Sequence, residues 1–141
     1  MPDISMLEYN YKNIGQDIIC GPHPIDNIND TLDDLRVTRA LIVCGPTILS
    51  QSDVVQRTQA SLGDRYVGTF SGVAPHSPVS TVEAGVAICK DLQPEVIVAV
   101  GGGSTSDTAK GISMVWSGGG DIHDYAIQFE PPNKIIYPLN N

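Results

Sequence analysis

Residues 95–110 read EVIVAVGGGSTSDTAK. From Glu95 to Val100 the stretch is rich in branched apolar residues, which favour a strand. It is apolar at nearly every position, so it is expected to be buried on both faces, as in a parallel sheet. Three glycines follow at once, and the pattern from Thr105 to about Trp116 predicts a helix. A strand that turns through glycine directly into a helix is the repeating step of an α/β domain.

The flanking sequence repeats that step. Upstream, Pro94 stops a helix read from Ser80 or Thr81, as its cap, to about Asp91. Tyr66 to Phe70 reads as a short strand. Ser52 to Leu62 reads as a helix ended by Gly63. The compact run Ala40 to Cys44, ALIVC, reads as a buried strand closed by a turn at Gly45 and Pro46. Further back, a helix is expected from about Asn27 to Leu35 and a short strand over 17–20, ending at Gly21-Pro22-His23-Pro24. Downstream, the glycines at 118–120 end the helix, and Lys134 to Tyr137 predicts a last strand leading into Pro138. The alternation predicts one α/β domain over residues 1–141, with an open, mostly parallel, Rossmann-like sheet flanked by helices.

Composition narrows the function. Hydrophobic residues make up 41% of the chain and charged residues 17%, which excludes a disordered tail or a coiled coil. The net charge of −8, from 8 basic and 16 acidic residues, argues against nucleic acid and anionic membranes as partners. A small anion is still admissible, because backbone N–H groups bind one without side-chain charge. The N-terminus lacks the basic flank and apolar core of a signal peptide, and no apolar run is long enough to span a bilayer. A cytoplasmic protein is therefore expected. Cys20, Cys44 and Cys89 stand far apart with no CxxC spacing, and Cys44 and Cys89 read as small core residues.

The glycine turn carries the chemistry. Without Cβ atoms a ligand can approach closely, and the N–H groups of Gly102, Gly103 and Ser104 can face a phosphate at the helix N-terminus. Ser104 adds a hydroxyl donor. Asp107, three residues on, has a capping-box-like spacing and could bind backbone N–H groups or a ligand hydroxyl. Lys110 lies one turn past Ser106 and could reach back towards a polar ligand. The pattern is neither GxGxxG nor a Walker A loop. Read from residues alone, a tight buried turn explains it as well.

The spacing Gly-Gly-Gly-Ser-x-x-Asp-x-x-Lys resembles the iron-containing alcohol dehydrogenase superfamily, including its maleylacetate reductase-like branch. The resemblance extends to ALIV with its turn and to TFSGVAPHSP at residues 69–78. It implies an N-terminal α/β domain that binds NAD or NADP, and a C-terminal helical domain with an Asp/His metal site. Gly102, Gly103 and Ser104 then match positions around the cofactor pyrophosphate. Asp107 and Lys110 match positions near the cofactor, and Pro138 matches the proline of a Pro-Thr-Thr segment lining its cleft. Leu139 and Asn140 stand where that segment has threonines. Cys44-Gly45-Pro46 stands where the family often has an acidic residue that reads the adenine ribose.

The helical metal domain has no counterpart in these residues, and no metal is expected in this chain. His23, His76 and His123 are scattered without His-x-x-x-His spacing. His76 and His23 sit in loops at the ligand edge of the expected sheet and are candidate acid–base groups. His123-Asp124, Tyr125 and Trp116 read as loop or packing residues. Three functions follow. One is a truncated NAD(P)-binding half of a dehydrogenase, redox-competent only with a missing half or partner and unable to oxidise alcohols alone. Another is a non-redox isomerase, cyclase or lyase using His76 or His23 on a small organic substrate. The third is a non-catalytic nucleotide-binding or interaction module. An uncovered sheet also predicts a homodimer or a complementary chain.

Overall fold

The computed structural model describes residues 9–13, 15–125, 128–130 and 134–136, with side chains over 15–125. Its centre is the strand β3, Ala40–Cys44, every residue of which is buried. β3 pairs in parallel with β4, Tyr66–Phe70, on one side and with β5, Val96–Val100, on the other. Two further strands, β1 (Tyr9–Asn13) and β2 (Gln16–Cys20), form an antiparallel hairpin, as do β6 (Gln128–Glu130) and β7 (Lys134–Ile136). The helices are α1 (Ile28–Leu35), α2 (Pro46–Gln51), α3 (Val54–Leu62), α4 (Val79–Leu92) and α5 (Gly103–Gly118).

The two-residue period of β3 builds two cores. Ala40, Ile42 and Cys44 pack with Leu32 of α1 and with Val55 and Leu62 of α3. Leu41 and Val43 pack on the other face with Val82, Val86 and Cys89 of α4 and with Ala109 and Ile112 of α5. Gly85 lets α4 approach α5, because a Cβ there would collide with Ile112. At the lower end of the sheet Arg39 donates to the carbonyls of Leu92 (2.5 Å) and Gln93 (3.0 Å), placing a cation at the α4 C-terminus. The Glu95 carboxylate accepts from the N–H (2.6 Å) and the hydroxyl (3.1 Å) of Thr38, tying the start of β5 to the start of β3.

The parallel α/β architecture is as expected from the alternation, with several differences, one being that the last expected strand pairs antiparallel with β6. ALIVC, not EVIVAV, is the strand buried on both faces. In β5 Ala99 is exposed and its neighbours are half-buried, because among the described residues β5 has a partner only on its β3 side. The strand residues Ala40–Cys44 and Val96–Val100 are apolar throughout, so composition cannot rank them; pairing does. The strand near residue 17 belongs to a hairpin and not to the parallel sheet. The turn at Gly45-Pro46 opens α2, with Pro46 at the start, where its missing N–H costs nothing. Pro78, not Ser80 or Thr81, is the cap residue of α4, and Thr81 is buried within the helix.

Ile42 is fully buried at the centre of its cluster. Ile42→Ala should cost about 2–5 kcal/mol, read as a lowered urea midpoint with an unchanged slope. The Thr38 hydrogen bonds hold the Glu95 carboxyl below its ordinary range. A lowered carboxylate stabilises the fold above its unfolded pKa, and that contribution disappears as the pH falls through the folded value. Glu95→Ala should therefore lower the urea midpoint at pH 7, and the difference from the parent chain should close as acidification passes below the usual carboxylate range.

Candidate functional site

The upper ends of β3 and β5 lie side by side, with Cys44 opposite Val100. From Cys44 the chain leaves towards α2 and α3 on one face; from Val100 it leaves towards α5 on the other. Neighbouring strands whose connections diverge in this way leave a crevice at their carboxyl ends, where α/β sheets bind ligands. The glycine turn forms one wall of it.

The three glycines have different reasons to be glycine. Gly101 has φ +155°, and a Cβ there would run into the Thr105 side chain, so the fold itself requires it. Gly102 is the α5 cap residue and Gly103 the first helical residue. Neither has a positive φ, and a Cβ on either would meet nothing within 4 Å. Their missing side chains serve no contact within the described residues; they leave open space against the start of a helix. No side chain caps α5. Ser106 N–H bonds to Gly102 O at 3.0 Å, so the amides of Gly103, Ser104 and Thr105 precede the first helical hydrogen bond. A helix N-terminus with unpaired donors attracts an anion.

Ser104 is held from the loop after β4. The His76 N–H donates to Ser104 Oγ at 3.2 Å, and Ser77 Oγ donates to the Ser104 carbonyl at 2.8 Å. His76 (φ 63°) and Ser77 (φ 47°) are both left-handed, a conformation that non-glycine residues adopt at a cost. His76 is thus brought to the glycine turn through its backbone, with its ring side exposed.

The other candidates are placed differently. Asp107 does not act as a cap: with Gly102 as the cap residue, Ser104 is already inside the helix. Asp107 accepts instead from Lys110 Nζ at 3.4 Å, in a pair with side chains 66% and 73% exposed. Lys110 also lines a cavity of about 540 Å³ along β5, with Ile97, Ala109 and Trp116. His23 is exposed before a short 3-10 turn, Pro24–Asn27, and among the described residues no hydrogen bond joins it to the glycine turn. Its neighbour Pro24 lines an apolar cavity of about 390 Å³ that reaches Val100 and Gly101. The His123 ring pairs with Asp121 at 2.5 Å and not with Asp124; hydrogen bonds from His123 hold the Asp121 carboxyl below its ordinary range. Trp116 donates to the Pro94 carbonyl and Tyr125 to the Gly119 carbonyl, both packing roles. Burial pushes the Cys89 thiol up to about 11 and also raises that of Cys44, so both stay protonated in the core. Pro138, Leu139 and Asn140 lie outside the described residues.

The iron-containing alcohol dehydrogenase family model matches residues 15–139. The chain belongs to the iron-containing alcohol dehydrogenase family. It is 34% identical to a maleylacetate reductase of Sphingobium indicum over 108 residues, 77% of this chain and 30% of that protein. It is 30% identical to NADH-dependent butanol dehydrogenase A of Clostridium acetobutylicum over 136 residues, 95% of this chain and 34% of that one. The crystal structure of NADH-dependent butanol dehydrogenase A from Thermotoga maritima superposes with a TM-score of 0.68 at 28% identity, covering 76% of this chain and 27% of that structure. The chain thus spans about a third of the length of these family members. Among the described residues no group of three or more His, Cys, Asp or Glu could hold a metal ion, and no helix is long and apolar enough to cross a membrane.

Ser77 and Thr105 were missed by sequence reasoning. Their roles lie in contacts with Ser104 and Gly101, and no local pattern marks them. The differing demands on the glycines are testable. Gly101→Ala should destabilise the fold by roughly 1–3 kcal/mol. The double variant Gly102→Ala/Gly103→Ala should keep its stability to within about 1 kcal/mol of the parent, since alanine gains helix propensity at Gly103 and loses a comparable amount at the cap position Gly102.

Proposed function

We propose that this chain is the NAD(P)-binding unit of a dehydrogenase, with the glycine turn holding the cofactor pyrophosphate. The observation that carries this reading is the open space against Gly102 and Gly103, at an uncapped helix start in the sheet crevice. Backbone demands explain Gly101, whereas Gly102 and Gly103 fit a ligand that must come close. Two relatives, both NADH-dependent butanol dehydrogenases, support the same cofactor.

In this reading the amides of Gly102, Gly103 and Ser104 bind the diphosphate, and the Ser104 hydroxyl donates to it. Asp107 stands about one turn and Lys110 about two turns further along α5, and Pro138 is assigned to the same cleft. The bound nicotinamide supplies a hydride acceptor. His76 and His23 are the candidate proton carriers at this edge, and His76 is the better supported because its backbone is bonded to the turn. The donor set of the described residues does not fit a catalytic metal. Polarisation of an alcohol or carbonyl by a metal would therefore come from groups outside the described residues. Cover for the edge of β5 that no described residue pairs with, by other residues or by a second copy, belongs to the same proposal.

Calorimetric titration of the 141-residue chain with NADH and NADPH tests the reading. Binding of either, weakened at least about tenfold in Gly102→Ala/Gly103→Ala while the fold is retained, is the expected result; no binding of either overturns it. The turn Cys44-Gly45-Pro46 offers neither a carboxylate to the ribose nor a cation to a 2′-phosphate. The two cofactors should accordingly differ by less than about tenfold in Kd.

A further inference from the structure

We propose that Ser77 is a positioning residue that fixes the Ser104 hydroxyl as a donor to the bound phosphate. The inference rests on the cofactor reading above and adds to it a specific device. A serine hydroxyl has one proton to donate and two lone pairs to accept with. At Ser104 one lone pair is taken by the His76 N–H at 3.2 Å. An N–H cannot accept a proton, so this bond takes a lone pair and leaves the Ser104 O–H to donate to an anion at the helix start.

That arrangement depends on where the loop lies. His76 and Ser77 are consecutive non-glycine residues in the left-handed region, a local conformation the chain would not choose unaided. The turn closes locally only through Ser77 N–H to Ala74 O, a long 3.3 Å bond. The second tie is the half-buried Ser77 hydroxyl, donating at 2.8 Å to the carbonyl of Ser104, 27 residues away. Ser77 therefore grips the backbone of the residue whose side chain His76 orients. Removing the Ser77 hydroxyl leaves the strained pair without its stronger tether, lets the His76 N–H drift, and frees the Ser104 rotor.

The test is a double-mutant cycle on the 141-residue chain, with NADH, ADP and adenosine as probes and the urea midpoint measured alongside. Ser77→Ala should weaken NADH and ADP binding by about 3- to 10-fold, the scale of one lost hydrogen bond. It should leave adenosine binding unchanged, since adenosine carries no phosphate. In a Ser104→Ala background Ser77→Ala should have no further effect, because there is no hydroxyl left to orient. Ser77→Gly, which relieves the left-handed strain but also lacks the hydroxyl, should weaken ADP like alanine.

Equal losses for adenosine and ADP, or additive losses in the cycle, would show a general structural role and overturn the proposal. Unchanged ADP affinity in Ser77→Ala would overturn it while leaving the cofactor reading intact. A parent chain that binds neither NADH nor ADP would overturn both.

Discussion

The structure depends on the burial of β3 on both faces. A strand apolar at every position from Ala40 to Cys44 must be covered above and below, and it must be paired on both edges. Parallel pairing to β4 and β5 meets the second demand, and helices on opposite faces meet the first. Those two requirements together send the connections after β3 and β5 in opposite directions. The crevice above Cys44 and Val100 is thus a by-product of how the core is built, not a separate feature.

Within the crevice, the fold and the candidate ligand site divide the glycine turn between them. Gly101 belongs to the fold, since Thr105 fills the space that a side chain would need. Gly102 and Gly103 face outward into open space, and the helix behind them begins without a side-chain cap. A surface loop contributes the rest: its left-handed residues His76 and Ser77 are bound to Ser104 and not to one another. Strain in a loop, amides that precede the first helical hydrogen bond and absent side chains thus meet at one point.

Family membership fits this picture and bounds it. The matching region lies within proteins about three times as long, and the described residues contain no metal-ligand cluster. What this chain supplies, on the proposal made above, is the grip on the cofactor. His76 alone among the three histidines is joined to that grip, and it is joined through its backbone.

The sequence by itself determined the class of fold and the location of the turn. Strand-forming runs, helix stops at Gly63, Pro94 and the glycines at 118–120, and the spacing GGGSTSDTAK are local signals, and local signals survive in a one-dimensional reading. Only the tertiary structure decided which apolar run is central: ALIVC and the VIVAV of 96–100 are both wholly apolar, and strand order is a matter of long-range pairing. It likewise turned Asp107 from a cap partner into the exposed partner of Lys110, because the helix begins two residues earlier than Thr105. It separated the glycine that the backbone needs from the two that leave room for a ligand. It also brought Ser77 to Ser104. Each of these rests on what occupies the space beside a residue, and that is set by chain segments distant in sequence.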